Sequence, residues 1–430
     1  MAEKDKQNNL FEKMKANIRL YTKYKMFAFD VLFYYAIVIP FFLQAKSMDM
    51  SEILFLGSIY SLSIAILQPF SNYFIEKVGL KNSTVIGNIF FAIQMVLLIF
   101  GNDFLIFTIS QVLGALGMAL KSTAESTILY ESLVPLDKQY LFAKYEGLAN
   151  SRYFYLDAVA SIVAGLTFVI NPYIPFSLTL IFILISLVLS CKFTETQNNI
   201  VKSISIKEYM HGLISIFKSN RSKALLVYAL IITGTMTLSM SLYKAIILDF
   251  GISADVLAYI VCAYSIIMGI GTKLGDKIER KIKKKTLITF LAFFTVSFLV
   301  IGLIGLTEIN AITIFIFAVC FIIMGIIHGA YRVAIKKYVI NFTTTEVRTK
   351  ITSLYYSAEN LGGTILLFIS GLLLSVIDVS LTTIIIMIGV LLIGMIIYYV
   401  TNKKIGLKPE DYNPKEINNI DVKTQHYIES

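Results

Sequence analysis

Two pairs of ionisable residues, each spaced four apart, lie inside long apolar stretches of the sequence. They are Lys121 with Glu125, and His328 with Arg332. On an α-helix, residues four apart share a face, so each pair can act as one site. A charge in an apolar segment costs free energy, and ionisable residues kept there mark binding sites or proton pathways. These four side chains are therefore candidates to contact a charged compound or to carry a proton.

Other polar residues inside apolar stretches extend this set of candidates. They are Asp30, Tyr34, Arg152, Asp157 and Glu359. The residues alone leave structural alternatives open. Lys121 and Glu125 could form an ion pair that only holds helices together. Arg152 could be a fixed strut, and His328 could be a packing residue.

Sequence patterns for several other chemistries are missing. The chain has no Gly-x-x-x-x-Gly-Lys-Ser/Thr nucleotide loop, no His-Glu-x-x-His or Cys-x-x-Cys metal motif, and no Gly-x-Ser-x-Gly nucleophile turn. Its three cysteines, Cys191, Cys262 and Cys320, have no metal-binding spacing. We therefore expect no enzyme activity, no metal and no cofactor.

The elements that position these residues are membrane-spanning helices. The chain has 430 residues, of which 57% are hydrophobic and only 15% are charged, against about 45–50% and about 25% in soluble domains. Long apolar windows predict twelve spans, each close to the ~20 residues that cross a bilayer. They are 26–45, 53–75, 83–101, 104–130, 140–170, 174–191, 223–248, 254–274, 286–306, 310–338, 348–376 and 380–401.

The distribution of positive charge predicts the orientation of these spans. The 38 lysines and arginines fall in the tails, the loops and the adjoining span ends of one side, except for Lys46 and three residues further inside spans, Lys121, Arg152 and Lys244. Cytoplasmic loops carry the excess of Lys and Arg, so both termini are expected in the cytoplasm. Anionic lipid headgroups account for the net charge of +10, and no nucleic-acid partner is expected.

A polar, basic stretch divides the spans six and six. The predicted organisation is a cytoplasmic N-terminal segment, a six-helix bundle, a cytoplasmic linker, a second six-helix bundle and a cytoplasmic tail. The corresponding ranges are 1–25, 26–191, 192–222, 223–401 and 402–430.

The two halves carry related motifs. The loop after span 2 reads Asn72-x-x-x-Glu76-Lys77-x-Gly79-x-Lys81, and the loop after span 8 reads Gly275-x-x-x-Glu279-Arg280-x-Ile282-x-Lys284. A duplicated six-span unit with a basic central linker is typical of secondary carriers.

At these loops the chain resembles the major facilitator superfamily, of the bacterial twelve-span type. The family signature there is Gly-x-x-x-Asp-Arg-x-Gly-Arg-Lys, and both loops are degraded copies of it. The resemblance implies an all-α integral membrane fold of two pseudo-symmetric six-helix bundles that work by alternating access. It also makes six residues candidates for an inner gate. They are Glu76, Lys77, Gly79, Gly275, Glu279 and Arg280.

The resemblance implies a secondary transporter in the plasma membrane that exports a drug-like or peptide-like amphipathic compound against protons. The group with a similar span 4 consists mainly of exporters, although the Arg that drug exporters usually carry in span 4 is replaced here by Ser110-Gln111. Proton-coupled uptake of a small nutrient is one alternative. A non-transporting sensor or assembly protein with a carrier fold is another.

The expected partners follow from that reading. They are a small-molecule or peptide substrate, protons and the lipid bilayer, and the chain is expected to act as a monomer. Five residues are candidates to carry the proton. They are Asp30, Glu125, Asp157, Glu359 and His328.

Overall fold

A computed structural model describes residues 2–28, 30–138, 141–195, 220–282, 285–341 and 345–404. The predicted linker beyond residue 195, up to 219, and the tail beyond 404 lie outside the described residues. Among the residues that are described, the regular elements are all helices.

The helices of the first half run as follows: α1 Ala2–Ala28, α2 Val38–Pro40 with a π-helical turn Phe41–Ala45, α3 Met50–Val78, α4 Leu80–Phe100, α5 Phe104–Leu133 with a 3-10 turn Val134–Leu136, α6 Phe142–Ile170 and α7 Tyr173–Cys191. Those of the second half are α8 Asn220–Asp249, α9 Ala254–Ile282, α10 Thr286–Ile304, α11 Ala311–Asn341, α12 Thr345–Leu374 and α13 Val379–Lys404.

Eleven of these helices, α3 to α13, are long and apolar enough to cross a membrane. They correspond one to one to predicted spans 2 to 12. Apolar side chains remain exposed along them; on α7, for example, Ile181, Leu184 and Val188 all face outward. Such exposed apolar surface is what a lipid environment accommodates.

The first predicted span, 26–45, is not one continuous helix. Helix α1 ends at Ala28, residues 32–37 form turns, and Phe33 has a φ of 63°. Two backbone groups here have partners other than helical ones. The Asp30 carboxylate accepts from the Val31 N–H at 2.9 Å, and the Thr179 hydroxyl donates to the Leu32 carbonyl at 2.8 Å. Such local side-chain bonds compete with the helical ladder.

Helix α1 covers most of the predicted N-terminal segment 1–25 and is partly buried. Its inner face carries Ile18, Tyr21, Tyr24 and Ala28, which belong to one hydrophobic core. The rest of that core comes from α3 to α6 and from the residues just after α7: Ile75, Leu80, Ala124, Ile128, Leu129, Leu133, Ala149 and Phe193. The polar N-terminal segment is therefore a structural helix.

The described residues form two compact units. Unit 1 comprises the described residues within Met1–Lys46, Ile66–Ile206 and Ala254–Cys262. Unit 2 comprises the described residues within Ser47–Ala65, Lys207–Ser253 and Ala263–Ser430. Helices α3 and α9 each contribute residues to both units. The division into two six-helix bundles at 192–222 stays a prediction.

Glycines allow helices within each unit to approach closely. In unit 1, a Cβ on Gly87 of α4 would lie 2.8 Å from the Gly117 carbonyl oxygen of α5. In unit 2, a Cβ on Gly234 of α8 would lie 2.6 Å from the Gly362 carbonyl carbon of α12. Small residues at such crossings are a common packing device in membrane helices.

Candidate functional site

Glu125 of α5 is the centre of a buried polar cluster in unit 1. Its Oε1 accepts a hydrogen bond from the Tyr24 hydroxyl, and its Oε2 accepts one from Lys25 Nζ. Tyr24 and Lys25 lie on α1, and all three residues are at most 5% exposed. Both oxygens of the carboxylate are therefore bound by one neighbouring helix.

Two further contacts extend this cluster to other helices. The Asn88 side chain of α4 donates to the Tyr24 hydroxyl at 3.0 Å. The Tyr21 hydroxyl, one turn earlier on α1, donates to Glu146 of α6. Polar groups on α1 thus contact three different helices, as expected for buried groups that must find partners.

Lys121, the predicted partner of Glu125, is near it but is not hydrogen-bonded to it. Its Nζ lies 3.9 Å from Glu125 Oε1 and 4.7 Å from the centroid of the Phe91 ring. The expectation that Lys121 and Glu125 share a helix face is confirmed by this distance. The direct cation on the carboxylate is Lys25, which lies outside the predicted spans.

Asp30 and Tyr34 lie in the irregular segment after α1. Asp30 Oδ1 accepts from the Val31 N–H and from the Tyr35 hydroxyl at 3.2 Å. The Tyr34 ring packs edge-on against Tyr35 and Phe176, with centroids 5.6 Å apart in both cases. Asp30 is partly buried and Tyr35 is exposed.

Arg152 and Asp157 lie on different parts of the surface of α6. Arg152 is exposed, and it makes no hydrogen bond or ion pair with any residue that the structure describes. Asp157 is partly buried. The structure therefore does not bring Arg152 into the Glu125 cluster.

Glu359 of α12 belongs to a second polar cluster, in unit 2. Its Oε1 accepts from the Thr233 hydroxyl of α8 at 2.9 Å and from the Tyr355 hydroxyl one turn earlier. The Tyr331 hydroxyl of α11 lies 3.2 Å from both the Thr233 and the Tyr355 hydroxyl oxygens. Hydroxyl groups from α8 and α12 thus bind this carboxylate, and a hydroxyl group from α11 contacts both of them.

His328 and Arg332 of α11 have different environments. His328 is 8% exposed, and its Nδ1 lies 3.2 Å from the Tyr264 hydroxyl of α9. Its ring also packs near Phe294, with centroids 6.4 Å apart. Arg332 is exposed. The two residues therefore differ in exposure, and the surroundings of His328 fit a packing residue.

Gly79, one of the predicted gate residues, immediately precedes α4 and has a φ of 90°. Beside it, the Glu195 carboxylate accepts from the backbone N–H groups of Leu80 and Lys81 at 3.1 and 3.0 Å. A carboxylate at a helix N-terminus satisfies unpaired N–H groups and interacts favourably with the helix dipole. A Cβ on Gly79 would lie 2.7 Å from Glu195 Oε2. Gly79 is thus required both by its backbone conformation and by this close contact.

The segment that carries Glu195 is itself tied to α1. The Asn17 side chain donates to the Thr194 carbonyl and accepts from the Thr194 N–H, both at 2.9 Å. It also donates to the Ser132 hydroxyl of α5 at 3.2 Å. Sequence reasoning missed Glu195 because it treats 192–222 as a linker.

The other gate candidates are less closely grouped. Lys77 is exposed and lies 4.5 Å from the centroid of the Tyr73 ring. The side chain of Glu76 lies outside the described part of the structure. On α9, Gly275 and Glu279 are buried and Arg280 is exposed. Glu279 and Arg280, which are adjacent on α9, therefore lie in different environments.

Three comparisons relate this chain to known proteins. The profile of the Major Facilitator Superfamily matches residues 26–308 and 224–419. No curated protein matches the sequence.

Solved structures with a similar fold include three transporters. A variant of the nucleoside transporter NupG is 11% identical, with a TM-score of 0.72 over 90% of this chain and 100% of that one. A D-xylose–proton symporter is 13% identical, with a TM-score of 0.68 over 89% and 96%. A POT family transporter in complex with a thioalcohol-conjugated peptide is 14% identical, with a TM-score of 0.65 over 93% and 96%.

The family match extends over more than half of the chain, and the helical fold agrees with it. It implies a multi-pass protein of the cell membrane that transports and is not an enzyme. This chain belongs to the Major Facilitator Superfamily and is a secondary transporter of that family.

Proposed function

We propose that this transporter exports a drug-like or peptide-like amphipathic compound in exchange for protons, and that Glu359 carries the coupled proton. The observation that supports this most is that two hydroxyl groups bind one carboxylate within an apolar helix, while a third hydroxyl contacts both of them. The substrate class and the export direction come from the family resemblance.

The chemistry of the hydroxyl groups supports proton binding at Glu359. An ionised carboxylate inside a membrane segment is costly, and a proton removes that cost. Hydroxyl groups can donate to an ionised carboxylate and can accept from a protonated one. Thr233 and Tyr355 can therefore hydrogen-bond Glu359 in both protonation states, and Tyr331 can hydrogen-bond these two hydroxyl groups.

Protonation of Glu359 would also act on helix packing. The carboxylate joins α12 to α8 through Thr233, and the hydroxyl network reaches Tyr331 of α11. Hydrogen bonds to a charged acceptor are about twice as strong as neutral ones. Gain of a proton therefore weakens the contact between these helices. Protonation of Glu359 can in this way shift the equilibrium between the conformations of the transport cycle.

Replacement of Glu359 by Gln tests this proposal. In inside-out vesicles with an acidic lumen, we expect wild-type protein to concentrate compounds from a panel of dyes, antibiotics and short peptides, and an uncoupler to abolish this. Glu359→Gln should lose concentrative transport but keep exchange of labelled for unlabelled substrate, which needs no net proton movement. Glu308→Gln, at an exposed acid, is the matched control and should behave as wild type.

Vesicle orientation separates export from the alternatives. Proton-driven uptake, as the similarity to a D-xylose–proton symporter would favour, predicts accumulation only in right-side-out vesicles. A non-transporting protein predicts no uncoupler-sensitive accumulation in either orientation. Either result would contradict the export proposal.

A further inference from the structure

We propose that the Lys121 ammonium is the recognition point for an anionic group of the substrate, so that transported compounds carry a carboxylate or a similar anion. This inference rests on the proposed transport function and adds a substrate class to it. It concerns the buried cluster of unit 1 and not the Glu359 cluster.

The first observation is the ratio of charges in that cluster. Three of its ionisable residues are at least nine-tenths buried, namely Lys25, Lys121 and Glu125. Two are cations and one is an anion. The two other acids near the cluster, Asp30 and Glu146, are only partly buried. Asp30 Oδ1 accepts two hydrogen bonds, and Glu146 accepts one from the Tyr21 hydroxyl.

The second observation is how Glu125 is used. Its two oxygens accept from Tyr24 and Lys25, which are the direct contacts. Lys121 Nζ lies 3.9 Å from Oε1, beyond the 2.7–3.2 Å of a hydrogen bond from nitrogen to oxygen. Lys25 is therefore the cation that hydrogen-bonds the carboxylate, and Lys121 is the more distant one.

The third observation is that the Lys121 ammonium has three donors and no acceptor. Among the described residues, the nearest groups to its Nζ are Glu125 Oε1, an ion-pair contact at 3.9 Å, and the Phe91 ring, a cation–π contact at 4.7 Å. Neither of these contacts is a hydrogen bond. A buried charge is normally paired and hydrogen-bonded, because an unpaired one is strongly destabilising. A ligand that brings an anion supplies the missing acceptors.

The depth of Lys121 also fits a substrate site. It lies next to the midpoint of the apolar segment Phe104–Leu136, and carriers bind their substrates near the middle of the bilayer. Lipid phosphates lie at the membrane surface and do not reach that depth. The aromatic face of Phe91, which is 2% exposed, adds an apolar contact beside the ammonium, so the site suits an amphipathic anion.

The first test needs no ligand. If Lys121 is an unsatisfied cation, Lys121→Met should raise the melting temperature of the ligand-free full chain in detergent, by about 2 °C. Lys25→Met is the matched control and should lower it, because Lys25 is bonded directly to Glu125. An unchanged or lowered melting temperature for Lys121→Met would show that the ammonium stabilises the fold, and would overturn the proposal.

The second test compares two probes that differ only in charge. N-acetylphenylalanine should raise the melting temperature of the wild-type protein more than N-acetylphenylalaninamide does, and Lys121→Met should lose this preference for the acid. Equal shifts for the two probes in the wild type, including none, would overturn the proposal. So would a preference for the acid that survives in Lys121→Met.

These measurements are independent of proton coupling. They use no gradient, so their result stands even if Glu359→Gln transports normally. Conversely, proton-driven transport of cationic compounds only, with equal shifts for acid and amide, would support coupling and refute the role of Lys121.

Discussion

At the residue scale, Glu125 shows how an acid is kept in an apolar helix. Tyr24 and Lys25 of α1 bind its two oxygens, and the Asn88 side chain in turn binds the Tyr24 hydroxyl. Breaking a buried charge pair by removing one partner is costly, because the other charge is left without compensation. Loss of the carboxylate should therefore lower the stability of the protein much more than loss of one neutral hydrogen-bond donor does.

Glu125→Gln should destabilise the protein by about 3 kcal/mol, because Lys25 then lacks its carboxylate. Tyr24→Phe removes one hydrogen bond to a charged group and should cost about 1.5 kcal/mol. Denaturation of purified full chain, followed by circular dichroism, measures both. Glu308→Gln, on the exposed surface, should stay within about 0.5 kcal/mol of wild type. Equal losses for the two cluster variants would contradict the charged pairing.

The sequence predicts the members of the two clusters better than it predicts their contacts. Lys121, Glu125 and Glu359 stand out because a charge is rare in an apolar run. Lys25 and Glu195 do not, since each lies in a polar stretch. Their partners are 100 and about 115 residues away along the chain, and only folding brings them together.

At the element scale, the start of α4 depends on one glycine and one distant carboxylate. Gly79 has a positive φ, and Glu195 binds the first N–H groups of the helix. The same contacts tie the end of α7 to the start of α4. The loop signature in the sequence identifies Gly79 but gives no sign of its partner.

Gly79→Ala should destabilise the protein more than Gly251→Ala. Both positions have positive φ. Gly79, with a φ of 90° and a ψ of 157°, lies in a region that essentially only glycine adopts, so alanine is strained by about 1–3 kcal/mol there and by about 1 kcal/mol at Gly251. A Cβ at Gly251 meets nothing within 4 Å, whereas one at Gly79 meets Glu195 Oε2 at 2.7 Å. Thermal denaturation of the two variants measures the difference. Equal losses would show that the Glu195 contact contributes nothing to stability.

Eleven spans are predictable because apolar composition over about 20 residues is a local property. The first span is the exception. Residues 30–37 contain no glycine or proline, so nothing in the sequence marks the turns that the structure shows there. The side chains that bind backbone groups there are Asp30, within the segment, and Thr179 of α7. The Thr179 contact exists only once α7 packs beside the segment, so the sequence does not reveal it.

At the scale of the whole molecule, the irregular first span decides whether the chain crosses the membrane eleven or twelve times. Eleven regular helices alone would leave the two termini on opposite sides of a membrane. The distribution of Lys and Arg predicts twelve crossings with both termini in the cytoplasm.

Cysteine labelling distinguishes the two topologies. In a variant without Cys191, Cys262 and Cys320, we expect Ser47→Cys to react with a membrane-impermeant maleimide added to whole cells. Ala2→Cys should react only after the cells are permeabilised. Labelling of Ala2→Cys in intact cells would mean that segment 26–45 does not cross the membrane.

The central claim, proton coupling through Glu359, is tested most directly by measuring protons themselves. Purified protein is reconstituted with a pH-sensitive dye in the lumen, and a compound that it transports is added on one side without an imposed pH gradient. In wild type the flow of compound should drive a lumenal pH change, and in Glu359→Gln the compound should exchange with no pH change. A pH change in Glu359→Gln equal to that of wild type would contradict the account.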